Sequence, residues 1–352
     1  MHNTVNESAG VVGHYYHPAP YFEIDTPFIP GHEWPLALID MALSRGVEEY
    51  KLLRGTGIFR EDIANKNSQL APQQCFQLIN NMQKQIHSNE LGFLLGHEFF
   101  SSPDNPAIAA LTQVANLQAA IDRLIEHQTQ LMPLLNLRVC YEHDRLVIYG
   151  QDACGAEKAM PFLLEMMFTA FSSLSRWQNG ENLPWQFYFT HSKPHYIEQY
   201  EVHLNNHVQF SSQANAMAIA RDYLHRPWNN RCVSRITDAF AIANVPSQSM
   251  PLQRGFLSEL YHYLHHNIQH NPNLEQTADA FGMSSASLKR KLKKHHSHFQ
   301  EQYDLVRKDL ALYWLHQAGW SKDQVAQALH FYDVANLRRA FKKWTGGLSA
   351  SR

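Results

Sequence analysis

Cysteine is scarce in this chain of 352 residues, and the four thiols, Cys75, Cys140, Cys154 and Cys232, form no C-x-x-C pair. Thiols scattered in this way argue against a disulfide framework and suit a reducing compartment. Long apolar runs are missing too, since no stretch approaches the roughly 18 uninterrupted apolar residues that a membrane helix needs. The first residues, MHNTVNESAGVVGHYYHPAP, lack the cationic start, apolar run and small-residue cleavage site of a secretory signal. A cytoplasmic protein with no membrane partner is therefore expected. Catalytic signatures are equally sparse, with no G-x-S-x-G elbow, no G-x-x-x-x-G-K-[ST] loop and no H-E-x-x-H helix. Gly55-Thr56-Gly57 is a fragment of a glycine-rich loop without its third glycine. No enzymatic role and no cofactor are expected.

An apolar share of 44% with 18% charged residues is enough to build a packed core, which excludes extensive disorder. The length suits two domains at roughly 100–200 residues each. The net charge of -2 conceals an asymmetry. From Met250 onward 14 basic residues face 8 acidic ones, whereas the rest of the chain holds 16 basic and 24 acidic. A basic end on an acidic body points to a polyanionic partner for that end.

Periodicity divides the chain further. Residues 1–25, rich in Gly, His, Pro and Tyr, read as a flexible arm. From Pro35 to Phe100 apolar residues recur at helical spacing, as in Leu36, Ile39, Leu43 and Val47. Asn105–Leu131 reads as one further long helix. The period then changes: Leu137–Cys140 and Leu146–Tyr149 flank Glu-His-Asp as a hairpin, and a Met- and Phe-rich helix over Lys158–Trp177 follows. Trp185–Thr190, Val208–Phe210 and Met217–Ile219 read as short strands. Residues 26–244 thus form a mixed α/β domain, and VPSQSMP at 245–251 is a linker. The remainder, 252–352, is all-α, so the fold class is α+β.

The all-α part contains one plan twice. Leu274–Phe281 is a short helix ended by Gly282, where a positive φ is expected, and Ser284 caps a second helix over Ser285–His295. That helix buries Leu288 and Leu292 and turns Ala286, Lys289, Arg290 and Lys293 outward. In the repeat, Ser321 caps a helix carrying Val325, Ala328 and Leu329, and Asp333 caps Val334–Trp344. This last helix keeps Leu337, Phe341 and Trp344 inward and Asn336 and Arg339 outward. The amphipathic helix Phe299–Gln317 joins the two units and would set the two second helices about 34 Å apart, one DNA turn. Small residues at a helix start allow close approach to a major groove, and Lys or Arg along one stripe reaches guanine edges or phosphates. One helix-turn-helix is common in ordinary bundles; two joined by a helix, both with cationic second helices, make a DNA reader.

The stretch Leu274–Trp344, with GMSSASLKRKLKK, FQEQYDLVRKDLALYWL and AFKKWTG, resembles the DNA-binding domain of the AraC/XylS transcription regulators. LLRGTGI at 52–58, LGFLLGHEF at 91–99 and FTHSKP with VQFSSQANAMAI across 189–219 are similar to that family's arabinose-binding-like sensor domain. The resemblance implies base reading by Ala286, Lys289 and Arg290 in the first unit and by Val334, Ala335, Asn336 and Arg339 in the second. Ser285, Lys291, Lys294 and Lys342 are then the phosphate contacts, which position without specifying. It further implies promoter DNA and RNA polymerase as partners, a small-molecule effector, a homodimer paired through the sensor domain, and activation of transcription. Two features depart from the pattern: His330 occupies the second turn where glycine is usual, and the chain ends GGLSASR without the usual Pro and Tyr.

Two other readings stay open on the residues. His262 and His266, at i,i+4 on one helix, have a spacing that can hold a metal, which would make the chain a metal-responsive regulator. A protein-interaction module with a basic helical tail is the alternative outside DNA binding. Met160–Phe171 (MPFLLEMMFTAF) is either core or the lining of an effector pocket, with core the default.

Overall fold

The computed structural model describes residues 16–65, 67–86, 89–100, 105–205, 207–228 and 253–344. The expected linker 245–251, Cys232, the terminal GGLSASR and residues 1–15 of the arm lie outside them.

Alternation of apolar and polar side chains builds the central sheet, because neighbouring residues of a strand face opposite ways. The expected hairpin runs Leu135–Tyr141 and Arg145–Asp152, paired antiparallel with Cys140 opposite Val147. Among the described residues the sheet has five strands in the spatial order 135–141, 145–152, 216–220, 186–188 and 208–209, and only the last pair is parallel. Leu135, Leu137, Leu146 and Ile148 face the main core. Val147 and Ala218 line the opposite face, with Tyr149 packed against them.

The core face is covered by the helix Met160–Asn179. Phe162 through Phe171 are buried on every side of it, so most of the MPFLLEMMFTAF run packs inside the domain. Around it stand the helices Trp34–Ser44, Pro72–Gln85 and Leu91–Glu98. Asn105–Leu131 is not one helix but three, Pro106–Thr112, Leu117–Glu126 and Gln128–Leu131. The break lies at Asn116, whose side chain accepts from Ala119 N–H at 2.9 Å and so starts a new helix.

The C-terminal part follows the expected order: Phe256–His266, Leu274–Ala280, Ser285–Lys294, Phe299–His316, Lys322–Ala328 and Val334–Trp344. It has its own core of Phe256, Leu260, Leu264, Leu288, Leu292, Val306, Leu310, Val325, Leu337 and Phe341.

The arm departs from expectation over residues 16–25. Tyr21–Phe22 pairs in parallel with Arg254–Gly255, and Tyr16 Oη and Ala19 N–H both donate to buried Glu259, each at 2.7 Å. Burial, and then the Glu259 carboxylate, push the Tyr16 phenol up to about 12. Ile24 N–H donates to His295 Nε2 at 3.0 Å, while Ile24 C=O accepts from Gln73 N–H at 2.9 Å. These residues strap the two domains together. The aromatic and acidic residues that look like a loose arm in sequence are the ones that make these contacts.

Candidate nucleic-acid interface

Each helix-turn-helix is set by local chemistry. Asn273 and Gln276 form a reciprocal capping box on the first helix, and Ser321 and Gln324 do the same in the second unit. Gly282 turns the first unit at φ +66°. Ser284 Oγ then accepts from Ser287 N–H at 3.2 Å and starts the first reading helix, Ser285–Lys294.

In the second unit the turn residue is His330, held at φ +56° where glycine is usual. Its ring nitrogen Nε2 lies 2.9 Å from Gln269 C=O. The Arg307 guanidinium from the connecting helix donates to Leu329 C=O and sits 4.3 Å from the Phe331 ring centre. A non-glycine turn therefore survives because neighbouring groups anchor it on both sides. Asp333 Oδ1 accepts from Asn336 N–H at 2.6 Å at the start of the second reading helix, Val334–Trp344.

The base-reading candidates fall on open faces. Ala286, Lys289 and Arg290 are exposed, as are Ala335 and Arg339, while Val334 and Asn336 are half-buried. Arg339 donates to Asn336 Oδ1 at 2.7 Å, so guanidinium and amide form one preformed polar unit on the outward side of the helix. Arg290 leans toward Ser287 Oγ at 3.3 Å. Their inward counterparts Leu288, Leu292, Leu337 and Phe341 are buried, which fixes the rotation of both helices.

The phosphate candidates divide. Ser285 is half-buried and Lys342 exposed. Lys291 is paired with Glu23, and Lys294 lies 2.9 Å from Glu23 and 2.6 Å from Asp25. Both acids belong to the strap. Burial works against these charges, but Lys291 and Lys294 still hold Glu23 below its ordinary value. The reading helix is thus joined to the N-terminal segment along one flank. Sequence reasoning did not foresee these acidic partners, which lie more than 260 positions away in the chain.

His266 Nδ1 is 2.8 Å from His262 C=O, and the His266 ring stacks on Tyr16. Among the described residues no three His, Cys, Asp or Glu side chains cluster as ion ligands. Burial, then the cation of Arg254, holds the His262 imidazole down at about 3. Among the described residues no helix is long and apolar enough to cross a membrane.

The family described as the arabinose-binding domain of AraC transcription regulators matches residues 46–228, and a helix-turn-helix domain family matches residues 277–349. The chain is 25% identical to the ornithine utilization regulator of Pseudomonas aeruginosa over 313 residues, which span 89% of this chain and 92% of that one. The crystal structure of the transcriptional regulator CdpR from Pseudomonas aeruginosa aligns with 89% of this chain and 96% of its own, at 15% identity. Its TM-score of 0.39 is too low to equate the two folds.

Proposed function

The chain belongs to the AraC family of transcription regulators, as a DNA-binding regulator with an arabinose-binding-type N-terminal domain, and on that premise we propose that it reads promoter DNA through both second helices and answers to a small-molecule effector. The observation that supports this reading most strongly is the pair of capped, outward-facing reading helices on one connecting helix, Phe299–His316. Lys289 and Arg290 recognise base edges in one major-groove segment, and Asn336 and Arg339 do so in the next, with Ala286, Val334 and Ala335 allowing close approach. A guanidinium or an amide reads guanine or adenine edges in this way, and a small apolar group meets the thymine methyl. Ser285 and Lys342 contact phosphates directly; Lys291 and Lys294 do so when Glu23 and Asp25 release them.

Transcription is activated, in this reading, by an effector-driven change in how the N-terminal domain holds the DNA-binding domain, with RNA polymerase as the partner and two copies of the chain per operator. An effector shifts such an equilibrium only by its differential affinity for the two arrangements. The test is Lys289→Ala with Arg290→Ala. Both residues are exposed, so folding stays intact while sequence-selective binding falls by about 1–3 kcal/mol per lost base contact. Unchanged selectivity would favour a protein-interaction module with a basic tail.

A further inference from the structure

Among the described residues, the N-terminal core buries a carboxylate with no cation beside it. Glu165, 2% exposed, is the single charged side chain in the run Met160–Phe171. It stands between the helices Leu91–Glu98 and Ile197–Leu204, so close to Gly92 that a Cβ there would lie 3.0 Å from Glu165 Oε2. Tyr196 Oη and Tyr200 Oη both donate to Glu165 Oε1, at 3.0 and 2.5 Å. Among the described residues Oε2 has no hydrogen-bond partner.

Aromatic rings pack around Tyr200, the nearer of the two donors to this carboxylate. Phe93, Phe189 and Phe210 each meet Tyr200 edge-on at 5.0–5.1 Å between ring centres, and Tyr196 stacks on it at 5.8 Å. Three imidazoles lie nearby: His191 Nε2 is 3.3 Å from Tyr200 Oη, and His97 and His203 are bonded to each other at 2.9 Å. Burial depresses all three, His97 to about 4, so none of them brings positive charge at neutral pH. The same burial pushes the Glu165 carboxyl up to about 7 against the pull of the two hydroxyls.

We propose that Glu165 and the aromatic side chains around Tyr200 form an effector site whose ligand is a small organic amine, its ammonium group paired with the Glu165 carboxylate. A buried carboxylate without a counter-charge is costly, and a cation removes that cost. A sugar or polyol brings only further hydroxyls, of which the carboxylate already has two, and an anion is repelled. Aromatic faces add cation–π attraction for an ammonium group in a desolvated box. Tyr196, His191 and Phe210 are half-buried, whereas Glu165, Tyr200 and Phe93 are buried, so the half-buried side is the one from which an amine would enter. The inference rests on reading the N-terminal domain as an effector sensor.

The test is isothermal titration calorimetry of the full chain at pH 7.0, in phosphate and in Tris. The probes are benzylamine, 1,4-diaminobutane and tetramethylammonium, with benzyl alcohol and arabinose as neutral comparators. At least one cation is expected to bind saturably and to release protons, since pairing ionises a carboxyl that burial pushes up to about 7. The neutral comparators are expected not to bind, and Glu165→Gln is expected to weaken cation binding at least about tenfold. Proton release is read on the unaltered chain and so does not depend on the variant folding. The proposal is overturned if no cation binds, if cations bind without proton release, if Glu165→Gln binds them equally, or if arabinose binds instead. Promoter binding is measured on the same preparations. A Glu165→Gln chain that still binds DNA but ignores the amine sustains the site, whereas an unaltered chain that binds no promoter counts against the DNA reading alone.

Discussion

Arg138 of the N-terminal sheet and Asp309 of the connecting helix are joined by a 2.7 Å Nη2–Oδ2 contact that ties the two domains together. Gln151 Nε2 and Tyr261 Oη donate to the same Asp309 oxygen at 2.6 and 3.0 Å. The guanidinium also lies over the Tyr261 and Tyr149 rings, at 4.7 and 5.3 Å from their centres. These residues occupy the sheet face turned away from the helix Met160–Asn179. One sheet therefore has the Glu165 helix on one side and the DNA-binding domain on the other.

Replacing Asp309 with alanine leaves the Arg138 guanidinium without its carboxylate at the domain junction. The expected loss is on the order of 3 kcal/mol, because removing one partner of a buried pair exposes the desolvation cost of the other. Equilibrium denaturation of Asp309→Ala, Arg138→Ala and the double variant measures it. A loss below about 1 kcal/mol would place the pair in the class of surface ion pairs.

In the proposed reading, Glu23 and Asp25 compete with DNA phosphate for Lys291 and Lys294, with which they are paired. Replacing both acids with alanine is expected to tighten DNA binding and to steepen its salt dependence. Each lysine freed to meet a phosphate adds about 0.9 to the slope of log affinity against log salt. Titrations at several salt concentrations check this; an unchanged slope would mean that the two lysines do not reach DNA.

His330 holds a positive φ at the cost of strain and is repaid in part by its contact with Gln269. Both His330→Ala and His330→Gly lose that contact, but only glycine relieves the backbone. The glycine variant is expected to be the more stable of the two by about 1 kcal/mol in thermal or denaturant unfolding. Equal stability would show that the turn relaxes out of the left-handed region.

Glu165 titrates near 7 in the folded chain against an ordinary value of 4.5. The folded state therefore holds the proton more tightly than the unfolded state. Stability from this group is fully present below the ordinary value and is lost as pH rises through about 7, by on the order of 3 kcal/mol. Glu165→Gln removes this dependence, so its stability between pH 5 and 8 is expected to fall less than that of the unaltered chain. Parallel profiles for the two would contradict a buried, proton-holding carboxylate.

What the sequence made legible was what local spacing encodes. The helix from Ser285, the turns at Gly282 and His330 and the hairpin around Glu142 all follow from neighbours a few positions apart. The single long helix expected over Asn105–Leu131 failed because apolar periodicity runs on across the Asn116 cap, which competes with it locally. Glu23 with Lys291, and Arg138 with Asp309, join residues far apart in the chain, and no local pattern announces such pairs. Glu165 did leave a signal, as the one charge in an otherwise apolar run. Its tyrosine partners lie beyond the next turn of the chain and became visible only in three dimensions.

The measurement that tests the central claim most directly is binding of the full chain to promoter fragments from its own genomic neighbourhood across a salt series. The account predicts selective binding to one fragment, weakening steeply as salt rises and lost in the Lys289→Ala, Arg290→Ala variant. Binding that is equally strong on every fragment and unaltered in that variant would contradict it.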